Sequence, residues 1–271
     1  MRTGTAREKV RPAAVAGQFY PVQPERLRAE VARLIAEAAA PADTAPKALI
    51  VPHAGYIYSG GVAAAAFATL RAVAQAIERV VVIGPTHYVP VRGIAISMVD
   101  AFETPLGRVP VDCEALAALA DLPFVVEADG PHAPEHALEV ELPFLQMVLP
   151  SFRLVPLVVG DAEPHEVAEV LARLWSWETL IVVSSDLSHY HDYETARRLD
   201  AATAAAIERG EWAGLGPNQA CGCLAVAGLL VEAGHRGFKA RRLSLCNSGD
   251  TAGSRDRVVG YGAWIFAQTT P

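Results

Sequence analysis

The chain has 271 residues, 52% of them hydrophobic and 20% charged, so it can bury a sizeable core and is not a disordered segment. Its net charge of −7 argues against a nucleic-acid groove or an anionic membrane surface as the main partner, and the short basic run at residues 2–11 does not change that. The opening MRTGTAREKVRPAAV lacks the apolar core of a secretory leader, and no apolar stretch reaches the ~20 residues of a membrane span, so the expectation is a cytoplasmic protein with no membrane partner.

In chain order, an irregular arm through Gln18 leads into a predicted helix at 24–39, where Pro24 suits the first turn because its missing N–H costs nothing there. An apolar strand at 48–52 and a helix at 61–73 follow, then strands at 79–84 and 93–98 and helices at 113–120 and 135–149. Pro143 lies inside the last of these and predicts a kink or a short preceding turn. The remainder reads as strand 154–159, helix 163–175, strand 180–184, helices 193–210 and 217–233, and strands 240–245 and 258–266. Gly210 and Gly234 stand where helices would stop. Several strands are apolar nearly throughout, as strands covered on both faces are. The alternation predicts an α/β fold: a three-layer α/β/α sandwich with a mostly parallel or mixed central sheet, in one domain over residues 1–271.

Four cysteines, Cys113, Cys221, Cys223 and Cys246, are too few for a disulfide framework in a chain of this length. Cys221-Gly222-Cys223 is spaced too tightly for a zinc knuckle, so reduced, mostly buried thiols are expected.

The chemistry is carried by the residues just past the apolar strands. ALIVP runs into His53, VVVIGPT into His87, TLIVVSS into Asp186 and His189, and RLSLCNSG into Asp250 and Thr251. Ligand sites in open α/β sheets gather at the carboxyl ends of strands, so these residues would share one edge. Each also fits a plainer role: His53 and His87 as loop histidines bonded to the backbone, and Asp186 as a helix N-cap. The segment PHAPEHALEVELPF adds His132, His136 and Glu139. On a helix His136 and Glu139, three apart, share a face, which suits a metal or substrate contact and equally a surface contact. Gly60-Gly61 ahead of a helix is a weak anion-loop signal, without the lysine of a P-loop. Neutral imidazoles beside a carboxylate suit a divalent transition metal, and two histidines with one carboxylate suit non-haem iron(II). A further unligated histidine, with an ordinary pKa of ~6.5, suits an acid or base.

These motifs, in this order, resemble the Memo family, whose bacterial members are also called AmmeMemoRadiSam system protein B. AGQFYP, PHAGYIYSG, GPTHYVP, EHALEVELPF, SSDLSHY, ACG and NSGDT together cover nearly the whole chain. The resemblance implies a fold related to the class III extradiol dioxygenases. It implies His53 and His87 as ligands of iron(II) or copper, His189 as an acid/base with Asp186 beside it, and His136 and Glu139 lining the same cleft. Animal members complete the metal set with a cysteine near the last motif, and the ring-cleaving enzymes with a glutamate. Thr251 stands at that position here, Cys246 falls five residues earlier, and Asp250 is the expected third ligand, because it restores a two-histidine, one-carboxylate set.

Three functions fit this reading. The first is a metal-dependent, dioxygenase-like oxidoreductase acting on a small molecule, its cleft rimmed by Tyr20, Tyr56, Tyr58 and Tyr190. The second is a metal-assisted hydrolase with His189 or Glu139 as base. The third is a non-catalytic binding module for a peptide or protein. The bacterial family name implies a functional link with a radical-SAM protein and an AMMECR-type protein. No Cys-x-x-x-Cys-x-x-Cys motif is present, so radical chemistry would lie on another chain.

Overall fold

Valine- and isoleucine-rich runs, each too short for a helix and apolar on both faces, build the centre of the molecule. The computed structural model describes residues 8–39 and 45–268, so residues 1–7 of the expected N-terminal arm lie outside the described residues. The first half runs β1 (Val10–Arg11), α1 (Pro24–Glu37), β2 (Ala48–Val51), α2 (Tyr56–Phe67), β3 (Arg79–Pro85), β4 (Ile94–Ile96), β5 (Ala101–Thr104), β6 (Gly107–Pro110), α3 (Cys113–Ala117), β7 (Val125–Glu127) and α4 (Asp129–His132). The second runs α5 (Leu142–Val148), β8 (Arg153–Val159), α6 (Pro164–Leu174), β9 (Thr179–Ser184), β10 (His189–His191), α7 (Tyr193–Arg209), α8 (Cys223–His235), β11 (Phe238–Asn247) and β12 (Val258–Gln268).

The main sheet has the order β10-β12-β2-β9-β3-β8-β4-β7, with β11 also paired to β12. Its centre, β2-β9-β3-β8, is parallel, while β12 runs antiparallel to β2 and β4 antiparallel to β8. The sheet is therefore mixed, as the alternation of elements predicts. Helices cover both faces: α1, α2 and α5 pack together, with α2 on β2 and β12, while α6 packs on α8, which lies against β3 and β9. In α1 the buried residues Leu27, Val31, Leu34 and Ile35 follow helical spacing and form the stripe that faces inward.

Several expected boundaries move, each for a physical reason. Helix α2 begins at Tyr56, so Gly60 and Gly61 lie inside it and form no anion loop. At Gly60 a Cβ would come 2.9 Å from the end of the Leu34 side chain, so the α1 side chain packs closely over the glycine. The helix expected over 135–149 is a short 3₁₀ turn, Glu139–Glu141, followed by α5, with Pro143 in the first turn of α5. His136 and Glu139 consequently do not share a helix face. Helix α8 starts at Cys223, six residues later than expected, because the chain first passes tightly over the end of β9. A Cβ at Gly222 would meet Ser185 at 2.8 Å and the Ser184 carbonyl at 2.9 Å. The strands that the sequence pattern does not announce (β1, β5, β6, β7 and β10) have two to four residues each, too few for a period to register. All four cysteines are free thiols, but only Cys223 is buried: Cys221 and Cys246 are half-buried and Cys113 is exposed.

Candidate functional site

Three adjacent parallel strands deliver the expected residues to one edge. His53 follows β2, His87 follows β3, and Asp186 and His189 follow β9, whose position between the other two fixes their spacing. The loop between α4 and α5 brings His136 to the same point. One ring nitrogen from each of His53, His87 and His136 lies within 4.8 Å of the other two. The His87 and His136 rings stack with centroids 4.6 Å apart, and His53 meets both edge-on at 5.1 and 5.2 Å.

Each ring is held from behind. Glu135 accepts from the His87 backbone N–H at 2.6 Å through Oε2 and from His87 Nδ1 at 2.8 Å through Oε1. The same Oε1 lies 3.3 Å from His136 Nδ1, and the Tyr88 hydroxyl lies 3.2 Å from that nitrogen. His53 Nδ1 contacts Ser184 Oγ at 2.8 Å. With Nδ1 committed, Nε2 of His87 is left to face the cleft, as in metal sites where an outer carboxylate fixes the tautomer. Burial pulls His53 down to about 3, helped by the charge of His87, and pulls His136 down to about 3, helped by the charge of His53. Both are therefore neutral near pH 7, the form that donates a lone pair. Burial alone would raise Glu135, but the His87 hydrogen bond and charge and the Ala137 and His87 amides bring it down to about 2.

Asp186 and His189 flank the three rings. Asp186 is buried and its Oδ1 accepts from the His53 N–H at 2.8 Å. Burial pushes its carboxyl up to about 6, against the charge of His189 and the amides of His53 and Ala54. His189 lies on β10, where the pairing with β12 is irregular and Tyr190 adopts a left-handed backbone at φ 63°. A cleft of about 680 Å³ opens over this edge, lined by the three clustered histidines, Asp186, His189, Phe19, Tyr58, Tyr190, Cys221 and Tyr261.

Two expected site residues are not brought to the cluster. Asp250 is exposed, and its carboxylate accepts from the Tyr193 hydroxyl at 2.5 Å and the Asn247 N–H at 3.1 Å, closing the turn after β11. Thr251 beside it donates to the Ser248 carbonyl at 3.2 Å. Glu139 is fully buried away from the cleft, because it pairs with Arg11 and accepts from the amides of Ala14 and Val15 and from the Tyr20 hydroxyl, tying the N-terminal arm to the body. Tyr20 and Tyr56 are likewise buried, whereas Tyr58 and Tyr190 line the mouth as expected. Glu135, Ser184 and Tyr261 were not singled out in the sequence. Glu135 had one signal, its place directly before His136, but nothing in the chain order shows it reaching back to His87.

The model of the Memo-like protein family matches residues 11–265 of this chain. The chain belongs to the Memo family. A MEMO1 family protein of Aquifex aeolicus is 36% identical over 271 residues, covering 95% of this chain and 99% of its own. Another, from Thermotoga neapolitana, is 37% identical over 276 residues, covering 93% and 98%. The solved structure of an uncharacterized protein, JW3007, from Escherichia coli K12 superposes with a TM-score of 0.50 at 15% identity, covering 80% of this Memo-family chain and 99% of that one, and so shares its α/β fold. Among the described residues of this family member, no helix is long and apolar enough to cross a membrane.

Proposed function

We propose that this Memo-family protein holds a divalent transition metal, iron(II) or copper, on His53, His87 and His136 and uses it on a small molecule in the cleft above. The carrying observation is the convergence of three imidazoles whose outer nitrogens already have partners, Glu135 behind His87 and Ser184 behind His53. Neutral imidazoles are good ligands for such metals, and an outer carboxylate strengthens them. When bound, such an ion would supply Lewis-acid or redox chemistry to a substrate oxygen.

The chain's own residues do the rest. In this reading Asp186, lifted to about 6 by burial, takes and returns a proton near neutral pH, and His189 beside it in the cleft serves as the second acid/base group. Phe19, Tyr58, Tyr190 and Tyr261 give the cleft aromatic walls that suit a ring-bearing substrate. The carboxylate belongs to the outer layer here, since Glu135 contacts the ring of His87 rather than joining the cluster of three. A three-imidazole set also suits metal-assisted hydrolysis, which is the second reading.

Elemental analysis of anaerobically purified protein, beside the His53→Ala/His87→Ala double variant, tests the metal. Near-stoichiometric iron or copper lost in the variant supports the site, and none in either protein after reconstitution sinks it. Oxygen uptake with catechols, against ester and amide cleavage, then separates the two chemistries.

A further inference from the structure

Ser184 ends β9 and is fully buried, with three polar neighbours around one hydroxyl. Its Oγ lies 2.6 Å from the Ala137 carbonyl, 2.8 Å from His53 Nδ1 and 2.9 Å from Glu141 Oε1. A serine hydroxyl has one proton to give and two lone pairs to receive. The Ala137 carbonyl can only accept, and an oxygen pair at 2.6 Å without a proton between them is repulsive, so the Ser184 proton is committed to Ala137. Both remaining neighbours must then donate to Ser184. For His53 this means a proton on Nδ1, with the lone pair of Nε2 turned toward the cleft. For Glu141 it means a protonated carboxyl.

We infer that Glu141 is a positioning residue held as a neutral carboxylic acid, whose donation to Ser184 leaves the serine proton on Ala137 and keeps His53 in its Nδ1–H form. The surroundings agree. Glu141 is fully buried, and among the described residues it has no basic partner and its Oε2 has no hydrogen-bond partner, as the carbonyl oxygen of a neutral acid tolerates better than a carboxylate does. Burial pushes its carboxyl well above the usual range, outweighing the Ser184 hydrogen bond, and the charge of Asp186 pushes the same way. The titratable groups facing it are Asp186, Tyr56, whose hydroxyl donates to the Val140 carbonyl, and His53 across Ser184. An ionised Glu141 would draw the serine proton to itself, since a charge-assisted bond is about twice as strong as a neutral one. The Ala137 carbonyl, next to His136 in the chain, would lose its tie to β9. The neutral acid therefore steadies two of the three clustered rings.

The use made of this arrangement rests on the metal reading above, but its test is run on metal-free protein and succeeds or fails separately. Glu141→Gln keeps an uncharged donor. A group neutral in the fold but ionised in the unfolded chain stabilises fully below its ordinary value of 4.5 and loses that contribution as pH rises. The wild-type unfolding constant, divided by that of Glu141→Gln, should therefore rise about tenfold per pH unit above that value. Parallel curves would mean an ionised Glu141 and overturn the inference. Infrared difference spectra should show a protonated carboxyl carbonyl in wild type at pH 7 that Glu141→Gln lacks. Nitrogen-15 spectra of labelled histidine, with His53 assigned through His53→Gln, should show Nδ1–H in wild type and Glu141→Gln, and loss of that form in Ser184→Ala. An Nε2–H form of His53 in wild type overturns the inference even if Glu141→Gln fails to fold.

Discussion

The thiol of Cys221 sits 3.2 Å from Nε2 of His53, on the face of that ring that turns to the cleft. Burial pushes the thiol up to about 12, with the Asp186 charge adding to it, so near pH 7 the sulfur carries its proton, and with His53 in its Nδ1–H form that proton can face the lone pair of Nε2. The Asp186 N–H donates to the same sulfur at 3.3 Å, which holds it in place. A metal on His53 has to displace this contact. Replacing Cys221 with alanine removes a hydrogen bond worth ~1 kcal/mol net and should tighten zinc(II) or iron(II) binding about fivefold in a chelator competition. A loss of tenfold or more would instead make Cys221 a ligand. In the metal-free protein at pH 8, a thiol-reactive disulfide should modify the exposed Cys113 well before Cys221.

The choice between His136 and Asp250 as the third ligand is directly measurable. His136→Ala should weaken metal binding by at least about tenfold, the lower end of what even outer-layer changes cost. Asp250→Ala should leave affinity within about threefold, because its carboxylate is taken up by Tyr193 and Asn247 in an exposed turn. The reverse pattern would restore the two-histidine, one-carboxylate set and discard the histidine cluster.

That contrast marks how far the sequence could be read. The apolar strands declared themselves because β2, β3, β8 and β9 are buried on both faces, and the residues just past their ends landed on one edge. His53, His87, Asp186 and His189 were legible for that reason. His136 was legible as a site residue but not as part of the trio, because a helix was expected where Pro143 allows only a turn before α5. Asp250 looked right by its place after a strand, yet β11 is an outer strand that among the described residues pairs only with β12, and its end opens onto a surface turn. Glu135 and Ser184 act across 48 and 131 residues of chain, separations that no local pattern encodes.

His132 gives a stability signal separate from the site. Its Nε2 lies 3.0 Å from the Ala95 carbonyl, Nδ1 has no partner among the described residues, and burial lowers it to about 4 despite the Ala95 bond. A folded value below the ordinary 6.5 means the contribution is complete above 6.5 and lost as pH falls through about 4. The drop corresponds to roughly 3 kcal/mol. His132→Gln keeps a donor for Ala95 but cannot titrate, so its stability should fall less than wild type's between pH 7 and 4. Denaturant melts across that window check it, and equal slopes for the two proteins would refute it.

Glu139 separates structure from chemistry in the acidic segment. Its carboxylate is fully buried, pairs with the buried Arg11, and receives Ala14 N, Val15 N and the Tyr20 hydroxyl, so these donors of the arm converge on one group. Arg11 in turn donates to the His132 and Glu135 carbonyls, which ties the arm to the loop that carries His136. Glu139→Gln leaves the guanidinium buried without a counter-charge, a loss of about 3–5 kcal/mol. Chemical denaturation should show it as a lower midpoint, while metal affinity at 10 °C, where the variant is folded, stays within about threefold. A base for a metal-bound water would behave the other way, with stability kept and turnover lost. The two outcomes cannot be confused, because Glu139 touches the arm and not the cleft.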